Sequence, residues 1–338
     1  MGSSEAALKY VIYGALASGI MLFGISWLYG LSGQLSFYGM AETFSSLSGG
    51  EALALKAISV FALLMVFVGF AYKVAAVPFH MWCPDVYEGA PTPITAILSV
   101  GPKAAGFAVM IRFFAVVFGE SAIPWMPLMG LISVLTMTLG NLVAIVQDNV
   151  KRLLAYSSIA HAGYLLMAVA VFSSDAISAV MFYLGVYMLM NLGAFLVVIA
   201  VRESTGREDI GAYKGLSQTH PLLALTMAVF LFSLVGLPPL GGFIGKFYIF
   251  AALLHKGGVW YYSLALIGVL NSAISLYYYA RVLKAMFFVE PEAGAEMGRA
   301  VAWNHKALAV LLSVPVLVLG VYWKPLQEFT TNASLLIK

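Results

Sequence analysis

The chain consists of long apolar runs separated by short polar segments, and this pattern is compatible with only one class of fold. Hydrophobic residues make up 62% of its 338 residues and charged residues 10%, and the mean hydropathy is +0.94. A helix needs about 20 apolar residues to cross the roughly 30 Å hydrocarbon core of a bilayer, and many runs here are long enough. The short alternating segments of a membrane β-barrel are absent from the sequence. The sequence therefore predicts an all-α, polytopic membrane protein.

The apolar runs predict nine membrane-spanning helices. Their approximate ranges are 6–29, 54–77, 93–118, 123–147, 152–172, 176–201, 221–254, 258–288 and 303–323. If the spans alternate across the membrane, ten Lys and Arg residues fall on the side of residue 1 and five on the other side. Because Lys and Arg are enriched in cytoplasmic loops, residue 1 is expected in the cytoplasm and the C-terminus on the far side.

Two predicted spans contain residues that break helices. The segment GLPPLGG, residues 236–242, places Pro238 and Pro239 among three glycines inside the seventh span, and Pro78 follows Lys73 by five residues at the end of the second. Proline lacks a backbone donor, and an interrupted backbone at membrane depth is tolerated only where it is buried in protein or lines a water-filled cavity. Each break therefore indicates a polar path inside the protein.

The two broken spans also occupy related positions in the chain. Tyr13 precedes Lys73 by 60 residues, and Tyr187 precedes Lys246 by 59. The broken spans are the second and the seventh of the nine, so an alternating chain passes through them in opposite directions. This arrangement is typical of transporters built from inverted repeats.

Three lysines lie inside predicted spans: Lys73, Lys103 and Lys246. A lysine at the centre of a membrane helix costs about 2.5–3.5 kcal/mol on insertion scales, and ionisable groups at that depth are usually functional. Burial and a neighbouring charge both change the proton affinity of an amine, so its protonation can be switched. We interpret the three lysines as stations on a proton path, with a structural ion pair or snorkelling to the interface as the alternative.

Two histidines are further candidates for proton handling. His161 lies inside a predicted span, and histidine titrates near neutral pH with two distinct ring nitrogens. A relay role is therefore predicted, with a hydrogen-bonded structural group as the alternative. His80 follows Pro78 at the end of a broken span, where capping of that segment and proton uptake are equally good interpretations.

The charged residues near the ends of spans are interpreted as surface groups. Asp85 and Glu88 are expected to solvate their loop. Lys151 and Arg152 are expected at a solvated helix start, where they signal the topology, with a subunit contact as the alternative.

The composition indicates that any redox chemistry belongs to other chains. Cys83 is the only cysteine, which excludes an internal disulfide and an all-cysteine iron–sulfur or zinc site within the chain. No glycine-rich dinucleotide fingerprint follows a predicted strand. We therefore predict no cofactor and no metal site in this chain.

Three segments resemble subunit N of proton-pumping NADH:quinone oxidoreductase, respiratory complex I. They are AYKVAAVPFHMWCPDVYEGAPTPITAILSVGPKAAGF (71–107), DNVKRLLAYSSIAHAGYLLMAVA (148–170) and GLPPLGGFIGKFYIF (236–250). The proline-rich PDVYEGAPTP is similar to subunit N rather than to its sister antiporter-like subunits. The likeness covers almost the whole chain.

The resemblance implies two inverted five-helix repeats with broken helices and a central chain of buried charges. Lys73 would be the central lysine of the first broken helix, and Lys103 the lysine of the next helix, which links two half-channels. His161 would lie near the second repeat, and Lys246 would be the lysine of the second broken helix. Protons would move along these residues while other subunits reduce quinone.

Members of the family have about fourteen spans, so the resemblance also implies an N-terminally truncated form. The glutamate that works with the first central lysine, and the helices before it, would then be missing. On this basis residues 1–120 are the remainder of the first repeat, residues 121–290 the second repeat, and residues 291–338 hold a C-terminal transmembrane helix.

The expected partners are the other membrane-arm subunits of complex I, including the sister antiporter-like subunits, and the lipid bilayer, with no nucleic acid. NADH, FMN, iron–sulfur clusters and quinone are expected in partner subunits. The expected location is an energy-coupling membrane, the bacterial inner membrane. The alternatives are a cation/proton antiporter of the related multisubunit type, against which PDVYEGAPTP argues, and a non-functional remnant.

Overall fold

The computed structural model describes residues 2–45, 52–119, 125–291 and 301–336, and these residues form an all-α bundle, as predicted. In chain order the helices are α1 (Ser3–Ser32), α2 (Phe37–Ser45), α3 (Ala52–Val74), α4 (Trp82–Gly89), α5 (Thr92–Phe113), α6 (Trp125–Ile145), α7 (Val150–Val169), α8 (Ser174–Thr205), α9 (Leu216–Thr219), α10 (Pro221–Val235), α11 (Gly241–Lys256), α12 (Val259–Phe288), α13 (Trp303–Val321) and α14 (Lys324–Leu335). A wider helical turn, Phe114–Phe118, extends α5. Four short helices, α2, α4, α9 and α14, were not predicted.

Seven helices of the described chain are long and apolar enough to cross a membrane: α1, α3, α5, α6, α8, α12 and α13. They coincide with seven of the nine predicted spans. The other two predicted spans are 152–172, which corresponds to α7, and 221–254, which corresponds to α10 and α11. By length and composition alone, the count of nine is therefore not confirmed among the described residues.

Helix α7 is enclosed by protein, which explains why its composition differs from that of a lipid-facing helix. All its residues except Arg152 and Tyr156 are buried. It packs against α4, α6, α8 and α11. Because none of its faces has to be apolar for contact with lipid, serine, histidine and lysine side chains are acceptable where partners are available.

Both predicted helix breaks are present. Helix α10 ends at Val235 and α11 begins at Gly241, so GLPPLGG separates the two halves of the seventh span. Helix α3 ends at Val74, where Ala75 adopts a left-handed conformation with φ of 60°. The helix thus ends four residues before Pro78. Pro78 in turn disfavours a helical conformation at Val77, so no helix continues across the break.

Helix α8 holds the second half of the bundle together. It packs against α5, α7, α10, α11, α13 and α14, and most of its residues between Ala176 and Val201 are buried. Because α5 and α7 meet at α8, residues from distant parts of the chain share one interior. The predicted boundary between the repeats, at residues 120 and 121, lies outside the described residues.

Candidate functional site

Two of the three lysines predicted to be buried are indeed inside the bundle. Lys103 is 2% exposed and Lys246 is 4% exposed. Lys73 is exposed, so the prediction of burial is wrong for this residue. The reason is that α3 packs mainly against α1 and α5, which leaves the side of Lys73 open. Its Nζ atom lies 3.4 Å from the hydroxyl of Tyr10.

The equal spacing of the two Tyr–Lys pairs does not correspond to equal contacts. Lys73 meets Tyr10, and Tyr13 is exposed on α1. Tyr187 donates to the Oγ atom of Ser158, rather than to a group beside Lys246. The spacing therefore does not by itself identify lysine partners.

Lys103 is held by one residue of the enclosed helix α7. Its Nζ atom donates to the carbonyl oxygen of Ser158 at 2.7 Å and to the Oγ atom of Ser158 at 2.6 Å. The hydroxyl of Tyr187 on α8 also donates to that Oγ atom, at 2.8 Å. Within the described part of the chain, neither Lys103 nor Lys246 forms an ion pair.

Lys246 binds the end of the helix that the break creates. Its Nζ atom donates to the carbonyl oxygens of Leu234 at 3.1 Å and Val235 at 2.8 Å, and to Ser272 Oγ at 3.2 Å. The last carbonyls of a helix have no partner within it and carry a partial negative charge. The amine also lies 4.5 Å from the ring centroid of Tyr164, a favourable cation–π distance. The break thus supplies acceptors for a cation that forms no ion pair among the described residues.

His161, on the same helix as Ser158 and Tyr164, is 2% exposed. Its Nδ1 atom is 2.6 Å from the hydroxyl of Tyr183, and its Nε2 atom is 3.3 Å from the hydroxyl of Tyr279. Tyr279 also contacts the Oγ atom of Ser157. A neutral imidazole has one donor and one acceptor nitrogen, and both have a hydroxyl partner here.

Further tyrosines and an asparagine continue from His161 towards Lys246. Asn141 donates to the hydroxyl of Tyr164 at 3.1 Å and accepts from Tyr278 at 3.0 Å. The rings of Tyr278 and Tyr279 lie 4.4 Å apart. We call the whole set the central polar row. Its members are Lys103, Ser157, Ser158, Tyr187, His161, Tyr183, Tyr279, Tyr278, Asn141, Tyr164 and Lys246.

The central polar row can exchange protons at most of its members. Hydroxyl groups both donate and accept hydrogen bonds, and amines and imidazoles can hold or release a proton. Three steps are not direct hydrogen bonds: the ring centroids of His161 and Tyr187 lie 5.3 Å apart, those of Tyr278 and Tyr279 lie 4.4 Å apart, and Lys246 faces the ring of Tyr164. A bridging water is the ordinary way to cross such a gap.

The hydroxyl groups of this row were not predicted, because only ionisable side chains stand out within an apolar run. A signal was nevertheless present in α7, where Ser157, His161 and Tyr164 recur at intervals of four and three residues. That spacing puts polar groups on one side of a helix. In a membrane protein, such a polar side indicates a face that is turned towards the interior.

His80 and the prolines of the two breaks lie outside the central polar row. The Nδ1 atom of His80 is buried, with no hydrogen-bond partner among the described residues, and its carbonyl oxygen accepts from the backbone of Cys83. Capping and proton uptake both stay predictions for His80. Pro78, Pro238 and Pro239 are exposed, so each break reaches the surface of the bundle.

Arg152 was predicted at a solvated helix start, but it lies in a network of ion pairs. Its Nη1 atom is 2.9 Å from Asp85 and 2.7 Å from Glu88, and Lys9 lies 2.7 Å from Asp85. These contacts join α1, α4 and α7 at one end of the bundle. The two carboxylates therefore do more than solvate their loop.

Lys151 was also predicted at the solvated helix start, but it is buried, with 1% of its side chain exposed. Its Nζ atom donates to the carbonyl oxygens of Glu88 at 3.0 Å and Ala90 at 2.8 Å, and it lies 3.3 Å from the carboxylate of Glu208. Arg202 pairs with the same carboxylate at 3.1 Å. The structure thus gathers at one end several basic residues that the alternation of spans assigns to one side.

Asp85 should make the stability of this end dependent on pH. Burial opposes ionisation of its carboxyl, but hydrogen bonds from Lys9 and Arg152 outweigh that effect and hold its pKa below the usual value. A lowered pKa gives stability that is complete above the pKa of the unfolded carboxyl, about 3.9, and is lost as the pH falls further. We expect wild type to exceed Asp85→Asn in unfolding temperature near neutral pH, with the difference shrinking below about pH 4.

Thermal unfolding in detergent over a pH series measures this difference. The variant Arg152→Gln removes one partner of the carboxylate and should reduce the difference between Asp and Asn at position 85. An unchanged difference from neutral to strongly acidic pH would contradict the assigned role of Asp85.

The sequence of this chain is similar to membrane proteins of a known family. Residues 1–275 match the family described as NADH:quinone oxidoreductase/Mrp antiporter, transmembrane. The chain is 51% identical to NADH-quinone oxidoreductase subunit N of Anaeromyxobacter sp., over 98% of this chain and 68% of that protein. It is 50% identical to NADH-quinone oxidoreductase subunit N 2 of Sorangium cellulosum, over 99% of this chain and 67% of that protein. The chain therefore spans about two thirds of the length of these relatives.

Solved structures share the fold. A chain of respiratory complex I from Thermus thermophilus with bound aureothin matches 96% of this chain over 68% of its own length, with a TM-score of 0.78 and 34% identity. A chain of the Mrp complex from Dietzia sp. DQ12-45-1b matches 98% over 67% of its own length, with a TM-score of 0.86 and 25% identity. The antiporter-like membrane fold expected from the sequence is thereby confirmed.

Proposed function

This chain belongs to the family of antiporter-like membrane subunits of NADH:quinone oxidoreductase, as a relative of subunit N, and we propose that it conducts protons across an energy-coupling membrane. It would do so within the membrane arm of a complex I type enzyme. The other membrane-arm subunits, including sister antiporter-like subunits, would be its partners. The end that carries Lys151 and Arg202 would face the cytoplasm, in accordance with the positive-inside rule.

One observation carries the proposal: two enclosed amines, Lys103 and Lys246, lie at opposite ends of the central polar row, and neither has a carboxylate partner among the described residues. A structural ion pair would instead show an acid at each amine. Snorkelling would show the amines at the bundle surface. Neither alternative fits these contacts, whereas groups that hand protons along a row fit them.

Charge repulsion would couple the stations. A proton that arrives on one amine repels a proton on the next, and this interaction is several-fold stronger in a protein interior than in water. Lys73 would extend the series beyond Lys103, because the stem of Lys73 lies close to Gly106, one helical turn away from Lys103. Its exposed amine would join the series only where a neighbouring segment or subunit excludes water from it.

Electron transfer would belong to partner subunits. We propose that NADH, FMN, the iron–sulfur clusters and quinone bind there. This chain would contribute proton conduction that responds to quinone reduction elsewhere. Cys83, its only cysteine, is buried and cannot form a cluster site by itself.

Lys103→Met is the first test of the proton path. Methionine keeps much of the side-chain volume but cannot be protonated, so proton translocation by the assembled enzyme should fall about tenfold, the equivalent of one charge-assisted hydrogen bond. The measurement is the pH gradient formed in membrane vesicles during NADH oxidation. Electron transfer from NADH to a soluble artificial acceptor should stay unchanged. Normal translocation in this variant would contradict a path through Lys103.

A cation/proton antiporter is the second candidate function, because the similarity to the Mrp complex chain extends over nearly the whole fold. Purification of the chain with its associated proteins, followed by their identification by mass spectrometry, separates the two. Flavin- and iron–sulfur-containing partners would support the oxidoreductase. Only antiporter subunits, together with sodium-dependent proton movement in vesicles, would support the second function.

A further inference from the structure

Two buried asparagines connect helix α6 with helix α12. Asn141 lies on α6 and Asn271 on α12, and Asn141 Nδ2 donates to Asn271 Oδ1 at 3.1 Å. We call these two residues the asparagine pair. Asn141 also bonds the hydroxyl of Tyr164, whose ring faces the amine of Lys246. The pair therefore meets the central polar row next to one of its two buried amines.

A backbone carbonyl fixes the orientation of both amides. Asn271 Nδ2 donates to the carbonyl oxygen of Ile267 at 3.0 Å. A carbonyl oxygen only accepts hydrogen bonds, so the nitrogen rather than the oxygen of the Asn271 amide must face it. The oxygen of Asn271 is thereby turned towards Asn141, which must present its own nitrogen there. Exchanging nitrogen and oxygen in either amide alone would bring two acceptors or two donors face to face.

The fixed amides set the direction of the hydrogen bonds of two tyrosines. Asn141 Oδ1 only accepts, so the hydroxyl of Tyr278 donates to it, at 3.0 Å. Asn141 Nδ2 only donates, so the hydroxyl of Tyr164 accepts from it, at 3.1 Å. The hydroxyl hydrogen of Tyr278 thus points towards the amide, and that of Tyr164 points away from it.

An amide in this position does not relay protons. A group that relays a proton accepts one on one side and releases one on the other, as hydroxyls and imidazoles can. Asparagine is not among the side chains that titrate in proteins, so its oxygen does not hold a proton and its nitrogen does not release one. A proton that reaches Tyr278 therefore cannot continue through Asn141 to Tyr164.

A second connection between His161 and Lys246 runs along helix α7 and does not include the asparagine pair. His161 and Tyr164 are three residues apart on this helix, and their ring centroids lie 5.8 Å apart. The Tyr164 ring in turn lies 4.5 Å from the amine of Lys246. The other connection starts from His161 through Tyr279 and ends where Tyr278 meets the amide.

We propose that the asparagine pair is a proton insulator: it holds Tyr278 and Tyr164 in place and blocks proton transfer between them. Proton exchange between His161 and Lys246 then runs along α7 alone. The inference rests on the proposed function, since it restricts the route of that conduction. Conduction can respond to a distant reaction only if its route can be closed, and a second row of bonded hydroxyl groups would stay open. Asn141 is a positioning residue, because it acts through the two tyrosines.

A purely structural role for the pair makes a different prediction. Asparagines join membrane helices through mutual hydrogen bonds, and this pair joins α6 and α12. If joining were its only role, every substitution that breaks these bonds would have the same consequence. Insulation predicts instead that the consequence depends on whether the new side chain can relay a proton.

Asn141→Asp tests the insulation. A carboxyl group has nearly the shape of the amide but accepts and releases protons, so it should connect Tyr278 with Tyr164. The measurement is proton entry into vesicles that carry the assembled complex and a pH-sensitive dye, driven by an imposed pH gradient without NADH. Proton entry should rise about tenfold over wild type, the effect of one hydrogen bond on a barrier. Proton entry at the wild-type rate would overturn the proposal.

Two control variants separate insulation from packing. Asn141→Leu breaks the same hydrogen bonds but relays no proton, and Asn271→Asp adds the same carboxyl group while Asn141 still separates the tyrosines. Proton entry in both should be no faster than in wild type. An equal leak in Asn141→Asp and in either control would overturn the proposal. Where Asn141→Asp does not assemble, Asn141→Ser replaces it with the same expected leak, because a serine hydroxyl relays protons.

Lys246→Met separates a failure of this inference from a failure of the proposed function. If Asn141→Asp leaks while Lys246→Met translocates protons normally, the insulation stands and the proposed function fails. If Lys246→Met stops translocation and Asn141→Asp does not leak, the proposed function stands and the insulation is overturned.

Discussion

Lys246→Met should reduce proton translocation by the assembled enzyme about 100-fold, the lower end of what a positioned proton-transfer group contributes. The methionine side chain fills a similar volume but carries no proton. It also cannot bind the carbonyl oxygens of Leu234 and Val235, which the break in the helix leaves free. The path across the membrane would then end at Tyr164. Dye-based measurement of the pH gradient during NADH oxidation reports the effect.

Lys256→Met is the matched control for this variant. Lys256 lies ten residues further along the same helix, in its last turn, and is exposed. Its replacement should leave translocation unchanged. Electron transfer from NADH to a soluble acceptor should be normal in both variants, because the proposed function assigns it to partner subunits. Equal translocation in Lys246→Met and Lys256→Met would rule out Lys246 as a proton station.

Gly242→Ala should have the largest effect on stability. A Cβ atom at position 242 would overlap the backbone carbonyl oxygen of Ser233. Ser233 belongs to the last turn of α10, and its Oγ atom accepts from the backbone of Gly242 at 3.0 Å. The two halves of the broken helix must therefore move apart. Overpacking of this kind costs about 1–3 kcal/mol or more, and the shift would also displace the carbonyls that bind Lys246.

Gly19→Ala provides the control for this substitution. Gly19 lies within helix α1, and a Cβ atom there would meet nothing within 4 Å. Alanine should be neutral or stabilise the helix by about 0.5–1 kcal/mol. Unfolding can be followed by reaction of a thiol-specific dye with Cys83, which is buried in the folded protein. If Gly242→Ala unfolds at the same temperature as Gly19→Ala, the close packing of the two half-helices is wrong.

Much of the fold was predictable because the bilayer constrains each segment separately. Seven spans were recovered from apolar length, and the break at 236–242 from its prolines and glycines. The short helices α4 and α14 were missed because neither is an apolar run of spanning length. Helix α7 is not among the helices that are long and apolar enough to cross a membrane. It can be less apolar because it lies in the interior of the bundle, where protein rather than lipid surrounds it.

The candidate site was predictable only in part. Lys103, His161 and Lys246 could be singled out, because an ionisable group inside an apolar run is conspicuous. Their partners could not, since tyrosines and serines are common in membrane helices and carry no such signal. The ion pairs of Lys151 and Arg152 were also missed, because the sequence does not show that α7 meets Glu208, just after α8, and Asp85 of α4.

Sequence by itself determined that this is a helical membrane protein, where two of its spans break, and which amines lie within apolar runs. These properties follow from hydropathy and from the backbone chemistry of proline and glycine, which act within a single segment. Tertiary structure alone decided that Lys73 is exposed and that Lys103 binds Ser158, 55 residues away. Hydrogen-bond partners and burial depend on which helices pack together, and that packing joins segments far apart in the chain.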